Sequence, residues 1–144
     1  MSSSGVWIFW AILSAVFAAL TAIFAKVGIE EVDSDLATLI RTGIVIVVLS
    51  AFVVATGKWT SPLALSSRTW TYLALSGLAT GASWVCYFRA LRFGDVSKVA
   101  PIDKLSLVLI GVYAFLFLGE RPSAREWTGF GLVTAGVLLL AFRR

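Results

Sequence analysis

Histidine is absent from the 144 residues, and cysteine occurs once, at Cys86. Without histidine there is no imidazole base for triad-type catalysis. Without a second thiol there is no internal disulfide and no His/Cys metal cluster within one chain. No recognisable nucleophile–base pair remains, so an enzyme is not expected, and neither a cofactor nor a metal is called for. Charge is also scarce: Asp, Glu, Lys and Arg make up 14% of the residues, against 59% apolar. Soluble domains carry about 25% charged and about 45–50% apolar residues. A chain so poor in charge cannot clothe one small core with a water-facing surface. The same numbers exclude disorder, because disordered chains are polar. A membrane is the environment that remains. The net charge of +4 does not point to nucleic acid, because the positives sit at the edges of apolar runs, where membrane topology places them.

Residues 7–25 and 69–88 are uncharged runs, and 42–57, 105–119 and 127–142 are shorter ones. A membrane span needs about 20 residues, so the short runs must absorb charged neighbours. The pattern predicts an all-α integral membrane protein with a single domain over 1–144 and five transmembrane helices, at about 7–27, 36–57, 69–91, 97–118 and 124–142. A signal peptide is not expected, since no Lys or Arg precedes Lys26. The connections are short and carry Gly or Pro, or are acidic, as in Glu30 to Asp35. Function is therefore expected inside the helices. Trp7, Phe9, Trp10, Trp59, Trp70, Tyr72 and Trp127 fall near helix ends and fit an aromatic belt. Trp84 does not, being several residues from either end of its helix.

Five spans put the termini on opposite sides. Lys26, Arg41, Arg89, Arg92, Lys98, Lys104, Arg143 and Arg144 fall toward the C-terminal side, and Lys58, Arg68, Arg121 and Arg125 toward the other. The bias favours an outside N-terminus and a cytoplasmic C-terminus. Removing the positives expected within the protein, Lys26, Arg41, Arg89 and Lys104, leaves the sides balanced, so insertion both ways round is expected. These four and Asp103 converge on the order of 10 Å below one surface at 1.5 Å per residue. Embedded charges cost roughly 2.5–3.5 kcal/mol each at mid-helix and normally face a bundle interior, a partner or a cavity. Asp103 and Lys104, adjacent on a regular helix, would point about 100° apart and need different partners. Arg41 is the first expected partner of Asp103 and Arg89 the second. Two readings stay open: a structural ion-pair cluster with snorkelling cations, or a functional site centred on Asp103 and Lys104 beside the helix-distorting Pro101.

The third helix carries Ser76, Thr80, Ser83 and Tyr87 on one face, with Gly77, Gly81, Trp84 and Phe88 beside them. The hydroxyls line a cavity or bond back to their own helix. The last helix carries Gly129 and Gly136, which permit close approach of another helix and mark a packing or dimerisation surface.

Several stretches carry a resemblance. They are Thr21-Ala22-Ile23-Phe24-Ala25-Lys26, Tyr87-Phe88-Arg89-Ala90-Leu91-Arg92-Phe93-Gly94, Ser97-Lys98-Val99-Ala100-Pro101, Phe117-Leu118-Gly119-Glu120-Arg121, Trp127-x-Gly129 and Ala135-Gly136-Val137-Leu138. In this order the chain resembles the EamA-type domain of the drug/metabolite transporter superfamily. That resemblance implies one five-helix half of a ten-helix arrangement and pairing with an inverted copy. The small four-helix multidrug members use a Glu within helix one, whereas this chain has no acid between Trp7 and Ala25. Among acids well inside a helix only Asp103 is left to couple protons. The glycines at 129 and 136 resemble the seven-spaced pair at the dimer contact of those small relatives.

The expectation is a secondary transporter of the inner membrane, an antiparallel homodimer moving a small metabolite or drug by alternating access. The candidate substrate-binding or coupling residues are Lys26, Arg41, Thr80, Ser83, Trp84, Tyr87, Arg89, Asp103 and Lys104, whose cations favour an anionic or zwitterionic substrate. A lipid flippase subunit and a non-transporting assembly or helper subunit stay open as alternatives.

Overall fold

The structure is a computed structural model and describes residues 3–142. Arg143 and Arg144, counted above toward the C-terminal side, lie outside the described residues. Every described element is helical: α1 (Ser3–Gly28), α2 (Ser34–Ala55), a 3₁₀ turn at Pro62–Ala64, α3 (Ser67–Phe93), α4 (Val96–Asp103), α5 (Ser106–Phe117) and α6 (Ala124–Ala141). Three segments are long and apolar enough to cross a membrane: Gly5–Gly28, Ser34–Ala55 and Val96–Phe117. The last comprises α4 and α5 together. Helix α3 is long but diluted by hydroxyls and glycines, and α6 opens on Arg125 and Glu126.

Local chemistry explains where the helices begin and end. The Asp33 carboxylate caps α2, accepting from the amides of Asp35 at 2.9 Å and Leu36 at 3.2 Å. Gly57, at φ 66°, ends α2 in the left-handed region that glycine tolerates. Its own N–H reaches the Val54 carbonyl and that of Lys58 reaches Val53, which is the Schellman pattern. Helix α6 opens with a capping box: the Glu126 amide donates to the Ser123 hydroxyl, and the Glu126 carboxylate accepts from the Ser123 amide at 2.6 Å.

One expected helix is not continuous. The run over 97–118 divides at Lys104 and Leu105, whose ψ angles of −8° and −19° are those of a tightened, 3₁₀-like turn. Pro101 lies three residues earlier, inside α4; it lacks an N–H and its ring crowds the carbonyl four residues back. The Lys104 N–H then bonds the Pro101 carbonyl at 2.9 Å and the Leu105 N–H bonds Ile102 at 3.0 Å, each three residues back.

The chain divides into two compact units. In the unit spanning 24–92, the buried residues Ala25, Ile29, Ser34, Thr38, Phe88 and Leu91 lie where α1 ends, α2 begins and α3 ends. The other unit combines residues up to 23 with those from 93 onward. Within it α6 packs on α4 and α5. The Phe130 ring lies against Gly111, and Trp127 meets Phe115 and Phe130 edge-on at 6.5 and 5.8 Å. Most large apolar side chains are exposed, Val47 and Leu78 by 68% and 72%. In water that surface would be prohibitive; in a bilayer it is the face that meets lipid or a partner helix.

Candidate functional site

In the 24–92 unit, α2 and α3 bring together five of the residues singled out by sequence. Arg41 lies seven residues after the start of α2, with its guanidinium carbon 3.8 Å from the centroid of the Trp84 ring and 5.4 Å from that of Phe88. Cation–π attraction of this kind contributes roughly 0.5–2 kcal/mol. Stacking uses the guanidinium face and leaves the rim of N–H donors, the part that grips a planar anion bidentately. Trp84 and Tyr87 are both half-buried beside the fully buried Phe88. Arg89 differs from Arg41. It forms a two-point pair with Asp35, Nε to Oδ1 at 2.9 Å and Nη2 to Oδ2 at 2.5 Å.

Around them the three helix ends are tied by main-chain acceptors. The Lys26 ammonium donates to the Leu91 carbonyl at 2.6 Å, and the Arg92 guanidinium donates to the Val32 carbonyl at 2.6 Å. Lys26 and Arg89 thus hold the end of this unit together, whereas the Arg41 guanidinium rests against aromatic rings. Among the described residues the ion pairs are Arg89–Asp35, Lys98–Asp95 and Lys104–Asp103; Arg41 belongs to none.

Thr80 and Ser83 are exposed, and the Thr80 hydroxyl donates to the Ser76 carbonyl of its own helix at 2.8 Å. That bond is the ordinary alternative to lining a cavity.

In the second unit the break between α4 and α5 carries Asp103 and Lys104. Their side chains form an ion pair with each other, 3.2 Å from Lys104 Nζ to Asp103 Oδ2. Two expectations are corrected here. Adjacent residues were to diverge by about 100° and need separate partners, which holds for a regular helix; the tightened turn lets them meet. Arg41 and then Arg89 were the expected partners of Asp103; instead the carboxylate that engages Arg89 is Asp35, and the cation paired with Asp103 is Lys104. Asp35 was missed because it closes an acidic run that reads as loop; the helix in fact starts at Ser34, which places Asp35 in its first turn.

Sequence reasoning also missed a groove of about 610 Å³ between α5 and α6, walled by Leu107, Ile110, Phe130 and Val133 and bounded by Glu120 and Arg121 of the connecting loop. Gly129 lines it. An added Cβ at Gly129 or Gly136 would meet nothing within 4 Å, so both positions present open helix surface. No group of three His, Cys, Asp or Glu side chains able to hold a metal occurs among the described residues.

Comparison with known proteins identifies the neighbourhood. The EamA-like transporter family matches residues 5–142. A Sinorhizobium sp. protein named as an uncharacterised transporter in the cobO 3′ region is 57% identical over 135 residues, 94% of this chain and 96% of that protein. The uncharacterised transporter YxxF of Bacillus subtilis (strain 168) is 28% identical over 141 residues, 97% of this chain but 44% of its own length. A Yersinia pestis (strain Pestoides F) protein, named as probable 4-amino-4-deoxy-L-arabinose-phosphoundecaprenol flippase subunit ArnE, is 28% identical over 85 residues, 58% of this chain and 75% of that protein. No solved structure matches the chain.

Proposed function

The chain belongs to the EamA-like transporter family, and from that premise we propose a secondary transporter of the inner membrane that moves a small anionic or zwitterionic metabolite or drug. Five spans, including α3 and α6, make the working unit, and two units pair in inverted orientation. The observation that carries the substrate class is Arg41. It sits within an apolar helix, stacked on Trp84, outside every ion pair among the described residues. An embedded cation is costly unless an opposite charge meets it, and a substrate carboxylate or phosphate supplies that charge once per cycle. Trp84 and Tyr87 flank the apolar part of the ligand. Lys26 and Arg89 hold the surrounding helix ends in place.

Inverted pairing follows the transporter design in which a site lies at the interface of two oppositely oriented repeats. The Bacillus subtilis relative, which this chain matches over 44% of its length, is in keeping with a half-unit. Alternating access then requires that the two copies exchange roles about a shared site.

A flippase reading is favoured by one observation, the likeness to the flippase subunit over 85 residues. A phosphate-bearing lipid head would present the same charge to Arg41. Thermal stabilisation of the purified protein in detergent tests the site, because a ligand that binds the folded state raises its stability by mass action. A panel of organic anions, zwitterions, cations and a phosphorylated polyprenol is titrated against the native chain and Arg41→Gln. Stabilisation by anions or zwitterions that vanishes in Arg41→Gln supports transport of a soluble substrate. Stabilisation by the polyprenol phosphate alone supports the flippase. No response to any member, or a response by cations that Arg41→Gln leaves intact, overturns the proposal.

A further inference from the structure

The groove between α5 and α6 is not used by the Arg41 site. Leu107, Ile110 and Ala114, spaced three and four apart, share the α5 face that lines it, and Phe130 and Val133 line it from α6. Its walls are therefore apolar along the helices. Charged groups line it at one end only, where the chain leaves α5. There Gly119, at φ 70°, turns the backbone in the left-handed region that glycine tolerates, and the Glu120 N–H bonds back to the Ala114 carbonyl at 3.2 Å. Glu120 and Arg121 thereby stand at the mouth of the groove. Both are exposed, and neither belongs to an ion pair among the described residues. Glu126, the third charged residue on the groove, is already held by the Ser123 amide and hydroxyl. The apolar span Val96–Phe117 ends just before Glu120, which puts the mouth at headgroup level. From Leu107 to Phe117 the helix rises about 15 Å at 1.5 Å per residue, the depth of one leaflet of a hydrocarbon core about 30 Å thick.

We propose that this groove is a phospholipid site: an acyl chain lies along it and a phosphatidylethanolamine head sits at its mouth, the phosphate on Arg121 and the ammonium on Glu120. Two adjacent, opposite charges outside any ion pair fit a head that carries both signs. A net-anionic head satisfies Arg121 but sets its surplus charge against Glu120. A guanidinium and a carboxylate hold such partners by charge-assisted hydrogen bonds, and the primary ammonium of ethanolamine donates them where the fully methylated ammonium of choline does not. An acyl chain in the groove supplies dispersion contacts to walls that otherwise face a gap. A helix of a second copy is the rival occupant, since Gly129 also lines the groove. The lipid is favoured because the groove is apolar along its length and carries both signs of charge at one end, which is the pattern of a single phospholipid. The site is independent of whatever Arg41 carries.

Titration of the detergent-purified protein with dioleoyl phosphatidylethanolamine, phosphatidylcholine and phosphatidylglycerol, read by native mass spectrometry, tests this. The native chain is expected to bind the ethanolamine lipid more tightly than the other two. One charge near the membrane surface is worth about fivefold in affinity. Arg121→Gln should therefore weaken the ethanolamine and glycerol lipids alike by about that factor, and Glu120→Gln should erase the preference between them. Both side chains are exposed, so both variants should keep the fold. A phosphatidylethanolamine with a diazirine in its acyl chain should label α5 and α6 along the groove in preference to α1 and α2. Equal binding of the three lipids overturns the proposal, as does a preference that survives Glu120→Gln. Labelling spread evenly over all helices overturns it too, since that marks ordinary surrounding lipid only. Val133→Trp, which fills the groove, should lower binding of the ethanolamine lipid. Undiminished binding in that variant refutes the site, and if its cross-linked dimer is lost as well, the groove seats a helix of a second copy instead.

Discussion

Replacing Gly111 with alanine places a methyl group 2.5 Å from Cε2 and 2.6 Å from Cζ of Phe130. Ordinary contact begins near 3.4 Å, so the ring must withdraw by about 1 Å. Overpacking of this kind costs roughly 1–3 kcal/mol. The displaced ring also loses part of its edge-on contact with Trp127, worth about 0.5–1.5 kcal/mol when intact. Against this, alanine gains about 1 kcal/mol over glycine in a helix interior. The net expectation is destabilisation by about 1 kcal/mol, or roughly 4 °C in Tm for a chain of this size. Gly43, at which an added Cβ meets nothing within 4 Å, provides the contrast: Gly43→Ala should raise stability by up to about 1 kcal/mol. The decisive comparison is Gly111→Ala introduced into Phe130→Ala, where the obstructing ring is gone and the substitution should turn stabilising. Thermal unfolding of the native protein and the four variants in one detergent measures all of this. If Gly111→Ala stabilises the native background as much as Gly43→Ala does, the packing of α5 on α6 through Phe130 is wrong.

Three further expectations follow from the proposed assembly and the observed pairs. Accessibility reporters at the C-terminus and in the loop around Ser66 should each report both membrane orientations; a single orientation for every molecule would require a separate inverted partner chain. Gly129→Leu or Gly136→Leu should lower cross-linked dimer more than Gly43→Leu, because close helix approach needs absent side chains, and an unchanged dimer would move the contact to another helix. Asp35→Asn and Arg89→Gln should each lower the unfolding temperature slightly while the double variant falls no further than the worse single one, as expected for residues that act as a pair; strict additivity would show that the two-point contact carries no coupling.

Helix positions were legible to within a few residues where uncharged runs are long, as in α1 and α3, and also in α2, whose run had to absorb Arg41. The α4–α5 break was not, because reaching membrane length meant carrying one helix across Asp103 and Lys104, and an apolar count carries no dihedral information. Pro101 was its visible signal. The Asp103–Lys104 pair was hidden for the same reason, since a regular helix separates neighbours by about 100°. Trp84 stood out as an aromatic away from any helix end, and Arg41 as a charge inside a span; the sequence could not show that they meet. Asp35 was masked by its acidic neighbours, although Asp33 is a recognisable N-cap residue. The Ser-x-x-Glu spelling at 123–126 was equally readable as a helix start.

The central claim, an anion carrier whose embedded Arg41 meets the substrate, is tested most directly by uptake into liposomes of whichever anion or zwitterion stabilises the purified chain. The account predicts saturable uptake by the native protein, and loss of uptake in Arg41→Gln while that variant still folds and dimerises. Uptake undiminished in a folded, dimeric Arg41→Gln protein would contradict it.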